Sequence, residues 1–459
     1  MKESLLIVMV FFLGCRSGLD TESWVIETQE DWQVATSVSE NLEMKQGQLH
    51  LQGDSAFFST KLKKFQNKQK LRFLTLRQAP GWHTWKPIPK VTPEGAEDAP
   101  VFISAAPGDY WFLALFQGDD ANGYHSWHSK DMKTWEHYGP VSTRINRWVT
   151  SAEYVDGKFY IYFDKPNDED PHLVIDSDLT DGRQGKEMGM VFDDPSHGSD
   201  MAIFRDDDGR FHLIYEDWSP INPRTHSWDS PLAGHADSPD GINGFEPHEF
   251  PEPIDRRTKP TGKIEPYEPH SNQLIPGIDL SPYTYEVHEG PQDAFGDYTM
   301  IKVGRQYYLF CDYDPHEPEK SMRIGRWRSD DINKPFVWDG EIGEGFHPDP
   351  TIGFAEGRFY LLVQRHEYDF MSDGPWVNGV EARAGVDTNN DGEIDQWTEF
   401  TRVKEIYVQK EGFARVIEAR PAALDVSLLK AGYAFQIELR IQRANGASPV
   451  LDAVEADFQ

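Results

Sequence analysis

The 459-residue chain has only two cysteines, Cys15 and Cys311, so at most one disulfide is available to staple it. Basic residues are also scarce. Against 77 Asp and Glu stand 45 Lys and Arg, a formal charge of −32 and the wrong sign for gripping a phosphate backbone. Nucleic acid is therefore not an expected partner. Long helical periodicity is not evident, and no apolar run is long enough to span a bilayer. A phosphate-cradling glycine loop, a Cys-x-x-Cys pair, a His-Glu-x-x-His helix and a Gly-x-Ser-x-Gly elbow are all missing, which argues against nucleotide, zinc-peptidase and serine-elbow chemistry.

What remains is enough to fold. Hydrophobic residues make up 38% and aromatics 13%, so the acidity reads as a solvated surface rather than as disorder. Aromatics most often fill cores, and they also suit stacking on sugar rings. The length suggests one large domain and a smaller one.

At the start of the chain, Leu5 to Gly14 is an apolar run of signal-peptide length, preceded by Lys2. The stretch Phe12-Leu13-Gly14-Cys15 resembles a bacterial lipobox. Residues 1–15 are thus expected to be a lipoprotein-type leader, with export to the periplasm or cell surface and membrane contact only through a lipid at Cys15; plain secretion is the alternative. Cys311, inside the strand-like run from Tyr307, is then a lone thiol expected in the core.

One phrase recurs five times: a short polar residue, an apolar strand, a glycine turn, then an aromatic strand. Its copies open at Asp98, Ser151, Asp200, Asp297 and Asp349, and their turns carry Gly108, Gly157, Gly209, Gly304 and Gly357. The openings are 53, 49, 97 and 52 residues apart, so the unit is near fifty residues and an insertion lies between the third and fourth copies. A second phrase follows several copies, at Ser129 to Trp135, Ser238 to Phe245 and Ser329 to Phe336, and reads as a turn before an outer-strand aromatic anchor.

This pattern predicts an all-β chain: a five-bladed β-propeller over 89–385, whose innermost strands bring their opening residues to one central pocket. Residues 20–80 and 400–459 alternate in short β-like runs, and together they are expected to form an accessory β-sandwich built from both chain termini. Pro247 to Pro282 reads as a long loop beside the pocket, with Arg256, Arg257, Lys259 and Lys263 as local positive charge.

Residues 386–399 hold a sharper signal. Asp387, Asn389, Asp391, Glu393 and Asp395 place oxygen ligands at alternate positions, with Gly392 at the sixth, as in the first part of a calcium loop. Structural calcium in a linker is the expectation, with an Asx-rich turn as the alternative. No organic cofactor is expected.

Lined up together, Glu97-Asp98-Ala-Pro-Val-Phe102, Ser129 to Trp135 and Ser199-Asp200-Met-Ala-Ile-Phe204 resemble the five-bladed propeller glycoside hydrolases, with families 43 and 117 nearest. The resemblance covers about Pro89 to Gln364. It implies that Asp98 is the base and that Asp200 tunes the acid, although Ala99 interrupts the family's Asp-Pro. For the acid it leaves a choice: Glu289, in Glu289-Gly-Pro291, has the local motif, and Asp297 has the right distance to its aromatic strand. Family 117 adds His347 as a further candidate.

Glycosidic cleavage needs one carboxylic acid to protonate the leaving oxygen and one carboxylate to activate water or attack. Carboxylates converging in a narrow pore push their proton affinities apart, and one then stays protonated. A lone Asp at a strand opening is commonly just a turn cap; several at matching repeat positions favour a site. His226, Trp228 and Asp229 mix donors, acceptors and stacking surface and are expected to contact substrate, with loop packing as the plain alternative.

The expected activity is that of an exported glycosidase, exo-acting on plant or algal oligosaccharides. A propeller polysaccharide lyase and a non-catalytic glycan-binding protein are the alternatives.

Overall fold

The computed structural model describes residues 22–117, 123–142, 148–164, 170–194, 200–217, 233–248, 259–266, 284–290, 293–317, 319–345, 349–364 and 367–459, with the side chains of 97–99, 142, 148, 285 and 288 left aside. Cys15, His226, Trp228, Asp229, Arg256, Arg257 and His347 lie outside the described residues, and of Asp98 only the backbone is described.

The described chain is nearly all β, with one helix, Gln29–Ala35. Thr28 caps it, its hydroxyl accepting from the Asp31 amide while the Asp31 carboxylate accepts from the Thr28 amide. No described helix is long and apolar enough to cross a membrane.

Each of the five sequence repeats opens an antiparallel four-stranded sheet. The first sheet runs Ala96–Ala106, Asp109–Phe116, Tyr124–Ser129 and Glu136–Ser142, and the second Trp148–Val155, Lys158–Asp164, Pro171–Asp176 and Lys186–Met190. The third is Ala202–Arg205, Phe211–Glu216, Ala233–Ser238 and Glu246–His248. The fourth, Ala294–Val303, Gln306–Asp314, Arg323–Ser329 and Val337–Ile342, gains Val416–Arg420 and Ile406–Gln409 along its inner edge. The fifth has only three strands of its own, Thr351–Ala355, Arg358–Leu362 and Tyr368–Ser372; its outer strand is Lys86–Pro89, from the far end of the repeat region.

Local chemistry explains these sheets. In the hairpins at Asp156-Gly157 and Glu356-Gly357 both turn residues have positive φ, the type I′ geometry that matches strand twist. The turns after the third strands form as the second phrase requires: the hydroxyls of Ser129 and Ser238 each accept two backbone N–H groups, and Asp131 and Asp240 each cap the two that follow. Second strands such as Phe211–Glu216 are buried throughout because another sheet covers each face, whereas the outer Glu246–His248 is fully exposed.

The innermost strands touch in cyclic order, and Thr351–Ala355 touches Ala96–Ala106. Side-chain hydroxyls sew the neighbours together: Ser151 accepts from the Ile203 amide, Thr299 from Ile352, and Thr351 from Phe102. Separate apolar clusters fill the spaces between adjacent sheets.

Both chain ends meet in two further sheets. One contains Leu71–Gln78 and Val450–Phe458, the other Ser55–Thr60 and Gly432–Gln442, and residues of both share one core cluster. Val380–Asp387, within the span expected for the ring, pairs instead with Gly432–Gln442 in the second of these sheets. Residues 388–395 are the turn of a hairpin in that sheet. The expected long loop from Pro247 differs too, because Lys259–Pro266 is a strand paired with Thr284–Glu289. Alternation reports that a segment is a strand and is silent about its partner. Cys311 is buried, as expected for a core thiol.

Candidate active site

The opening residues of the third, fourth and fifth repeats share an unusual backbone. Asp200, Asp297 and Asp349 have φ of 30°, 47° and 51°, in the left-handed region that side chains other than glycine seldom adopt. The surroundings hold them there. The Asp200 amide donates to Asp164 Oδ2 at 3.2 Å, and the Asp349 amide donates to Asp312 Oδ1 at 2.8 Å. Asp164 and Asp312 lie on the second strands of the preceding sheets and are buried, so each fixes the backbone of the next sheet's opening residue. Strain maintained in this way at matching positions is characteristic of functional sites.

All three carboxylates line one narrow cavity of about 30 Å³ among the innermost strands of the five sheets, together with Thr150, Ser151 and Arg415. Carboxylate oxygens of Asp297, Asp312 and Asp349 lie within 4.8 Å of one another, the one such trio of Asp, Glu, His or Cys among the described residues.

Arg415 comes from outside the repeats, at the turn between Ile406–Gln409 and Val416–Arg420. It is 3% exposed. Its Nη1 donates to the carbonyls of Ala152 and Ile203 and to Glu153 Oε2, and its Nη2 to the carbonyl of Phe102, so one guanidinium ties the innermost strands of three sheets. Burial holds the Glu153 carboxyl above its ordinary range, with Arg415 acting in the opposite direction. The turn is bolted on further: Gln409 bonds both Ser104 Oγ and the Ser104 carbonyl, Arg205 donates to the Gly412 carbonyl and lies over the Phe413 ring, and the Lys302 amide donates to the Arg415 carbonyl.

The structure brings four of the five repeat-opening residues, Ser151, Asp200, Asp297 and Asp349, to one cavity. Glu289 is not with them; it is exposed on the paired strand Thr284–Glu289 and absent from the cavity lining. Asp164 and Asp312 had a legible signal, since both close aromatic strands at equivalent repeat positions. Arg415 had none.

The Asp387 to Asp395 turn is satisfied from within. Asp387 accepts from the amides of Asn389, Asn390 and Gly392, Asp395 accepts from the Thr388 amide and hydroxyl, and the Asn389 side-chain amide donates to Asp391 and Asp395. These bonds hold the side chains of Asp387, Asn389, Asp391 and Asp395 within one turn, next to Glu393.

A larger polar cavity of about 490 Å³ lies beside the third and fourth sheets. Its charges are matched inside the protein. Asp206 accepts from Lys302 Nζ at 2.7 Å and Tyr307 Oη at 2.5 Å, Asp237 holds Arg210 and His248, and His212 bonds His235 at 3.0 Å. Despite its burial, Lys302 is held above the ordinary lysine range by bonds to Asp206 and Asp207.

No protein-family profile matches the chain. A protein of Escherichia coli (strain K12) that carries a provisional beta-xylosidase name is 27% identical over 141 residues, 26% of this chain, so the chain spans about a quarter, 24%, of the curated relative it matches. Among solved structures, an endo-arabinase from Bacteroides thetaiotaomicron VPI-5482 superposes with a TM-score of 0.42 at 12% identity, covering 62% of this chain and 95% of that one. A Bacillus subtilis arabinanase gives 0.39 at 13%, covering 61% and 94%. A family 43 beta-xylosidase/alpha-arabinofuranosidase from a compost microbial metagenome, solved with xylotriose in a calcium-free form, gives 0.38 at 15%, covering 69% and 98%. Likeness at this level leaves the reading of the site to the chain's own residues.

Proposed function

We propose that the chain is a glycoside hydrolase whose carboxylates act at the axis of a five-bladed β-propeller, with the terminal sheets as an accessory β-sandwich. The observation that carries this reading is the convergence of Asp200, Asp297 and Asp349, from three separate repeats and all in left-handed backbone, on one cavity. Hydrolysis of a glycosidic bond asks for an acid and a base on either side of the scissile oxygen. Carboxylates crowded in a narrow site share protons between them, leaving one able to donate.

Asp297 is the better candidate for the acid, because it lines the cavity while Glu289 faces solvent. Asp98 remains the proposed base and Asp200 the residue that tunes the acid. A narrow cavity on the axis suits a chain end rather than the middle of a polymer, and xylo- or arabino-oligosaccharides are the first substrates to try.

Replacing Asp297 by Asn tests the reading, since Asn tolerates left-handed backbone and preserves the shape. Hydrolysis of a cleaved oligosaccharide should fall by about 10²–10⁴-fold while the melting temperature stays in place. Full activity in D297N, or a wild-type protein that releases no product from any glycan, would overturn the assignment.

A further inference from the structure

The cavity is lined in part by a segment that belongs to no repeat. Residues Gln409 to Arg415 contact the innermost strands of four sheets, through Ser104, Ala152, Ile203 with Arg205, and Lys302. Arg415 reaches the cavity from this turn. Four donor contacts occupy its Nη1 and Nη2, and each ends on a backbone carbonyl or on Glu153. Its Nε–H is buried and meets no hydrogen-bond partner among the described residues; the same holds for the hydroxyl of Thr150, which lines the same cavity.

A buried guanidinium N–H without an acceptor carries a desolvation cost of about 1–3 kcal/mol, and proteins seldom retain one without a guest. Arg415 lines the cavity, so an acceptor for this N–H can come from there. A small guest fits: about 30 Å³ exceeds the roughly 10–15 Å³ that one enclosed water requires, so an oxygen can sit there. It must also be neutral, because Asp200, Asp297 and Asp349 line the same space and would repel an anion.

We propose that Arg415 and Thr150 form an oxygen-binding floor beneath the carboxylates: a water in the free protein, replaced by a hydroxyl of the terminal sugar when substrate enters. The floor is supplied by the C-terminal segment, so the ring's specificity for a chain end depends on a part of the chain outside the repeats. This assignment deepens the hydrolase reading and rests on it for the identity of the sugar, though not for the oxygen itself.

Two measurements test it. A crystal structure of the full chain at high resolution should show an oxygen within about 3.2 Å of Arg415 Nε and in reach of Thr150 Oγ1. Kinetics of Thr150→Val on a cleaved oligosaccharide should show KM raised about three- to tenfold, with kcat changed less, from loss of one hydrogen bond. Arg415→Met should have a larger effect; because it also strands Glu153, its folding is checked by thermal melt, and Thr150→Val, which leaves all four Arg415 bonds in place, carries the test if that variant unfolds.

An ordered oxygen that a sugar hydroxyl displaces in a soaked xylose or arabinose complex supports the proposal. A floor with no oxygen in free and soaked crystals overturns it, and so does a folded Thr150→Val protein with wild-type KM. If the wild-type protein cleaves nothing yet the oxygen is present, the floor stands and the hydrolase reading falls.

Discussion

Histidine 235 shows how a single side chain sets the acid tolerance of this protein. It is fully buried on the third sheet, bonded to His212, with His248 and Asp237 close by. Burial holds its imidazole near 3 instead of the ordinary 6.5; repulsion from His212 and His248 adds to this, and Asp237 opposes it. His212 is lowered in the same direction, again mainly by burial. A group whose value is depressed on folding contributes stability that is intact above 6.5 and is lost as the pH falls from there toward 3. At pH 5 the loss from His235 alone is on the order of 2 kcal/mol. Urea unfolding at pH 7.5 and pH 5 should therefore show a smaller drop for His235→Gln than for the wild-type chain; equal drops would place the acid sensitivity elsewhere. At this scale the sequence was most legible where residues repeat. Asp200 and Asp297 stood at equivalent positions and both line the cavity, whereas Arg415 sits in a stretch whose neighbours look like any edge strand, and only its bonds to three sheets show where it goes.

At the scale of elements, the fifth sheet depends on a clasp. Asp369, with no exposed surface, accepts the amide of Val91 at 2.7 Å and of Val363 at 3.2 Å, so one carboxylate holds the strand Lys86–Pro89 in register beside Tyr368–Ser372. Asp369→Ala would strand two buried donors and should cost about 1–3 kcal/mol for each, whereas Asp369→Asn keeps an acceptor and should cost less. Denaturant midpoints for the two variants check the order, and an alanine variant as stable as the wild type would show that the clasp is idle. The repeats announced the hairpins because glycine turns and apolar alternation act over a few residues. Four residues such as Lys86–Pro89 carry no comparable signal, since their partner, Tyr368–Ser372, lies about 280 residues away and is chosen by tertiary packing. Val380–Asp387 fell in the expected ring span for a related reason: its alternation fits either set of sheets, and packing against Gly432–Gln442 decides.

For the whole molecule, the formal charge of −32 sets the terms. Self-repulsion of that size favours expanded states, and salt screens it within a Debye length of about 10 Å at 0.1 M. The melting temperature should rise as sodium chloride is raised from low concentration to about 0.5 M. A flat or falling profile would mean that solvent-exposed ion pairs such as Arg77 with Asp452, which salt weakens, outweigh the surface repulsion. The same charge disfavours an anionic partner, which fits the neutral oligosaccharide proposed as substrate.

The clasp at Lys86–Pro89 also opposes the order in which the chain is made to the order in which it can assemble. That strand leaves the ribosome early and has to wait for Tyr368–Ser372, which emerges close to the end, while the terminal sheets wait longer still for Gly432–Gln442 and Val450–Phe458. Pairings this distant in sequence form slowly and late. A chain without Tyr368–Ser372 therefore leaves Lys86–Pro89 unpaired, and that open sheet edge is exposed to wrong partners.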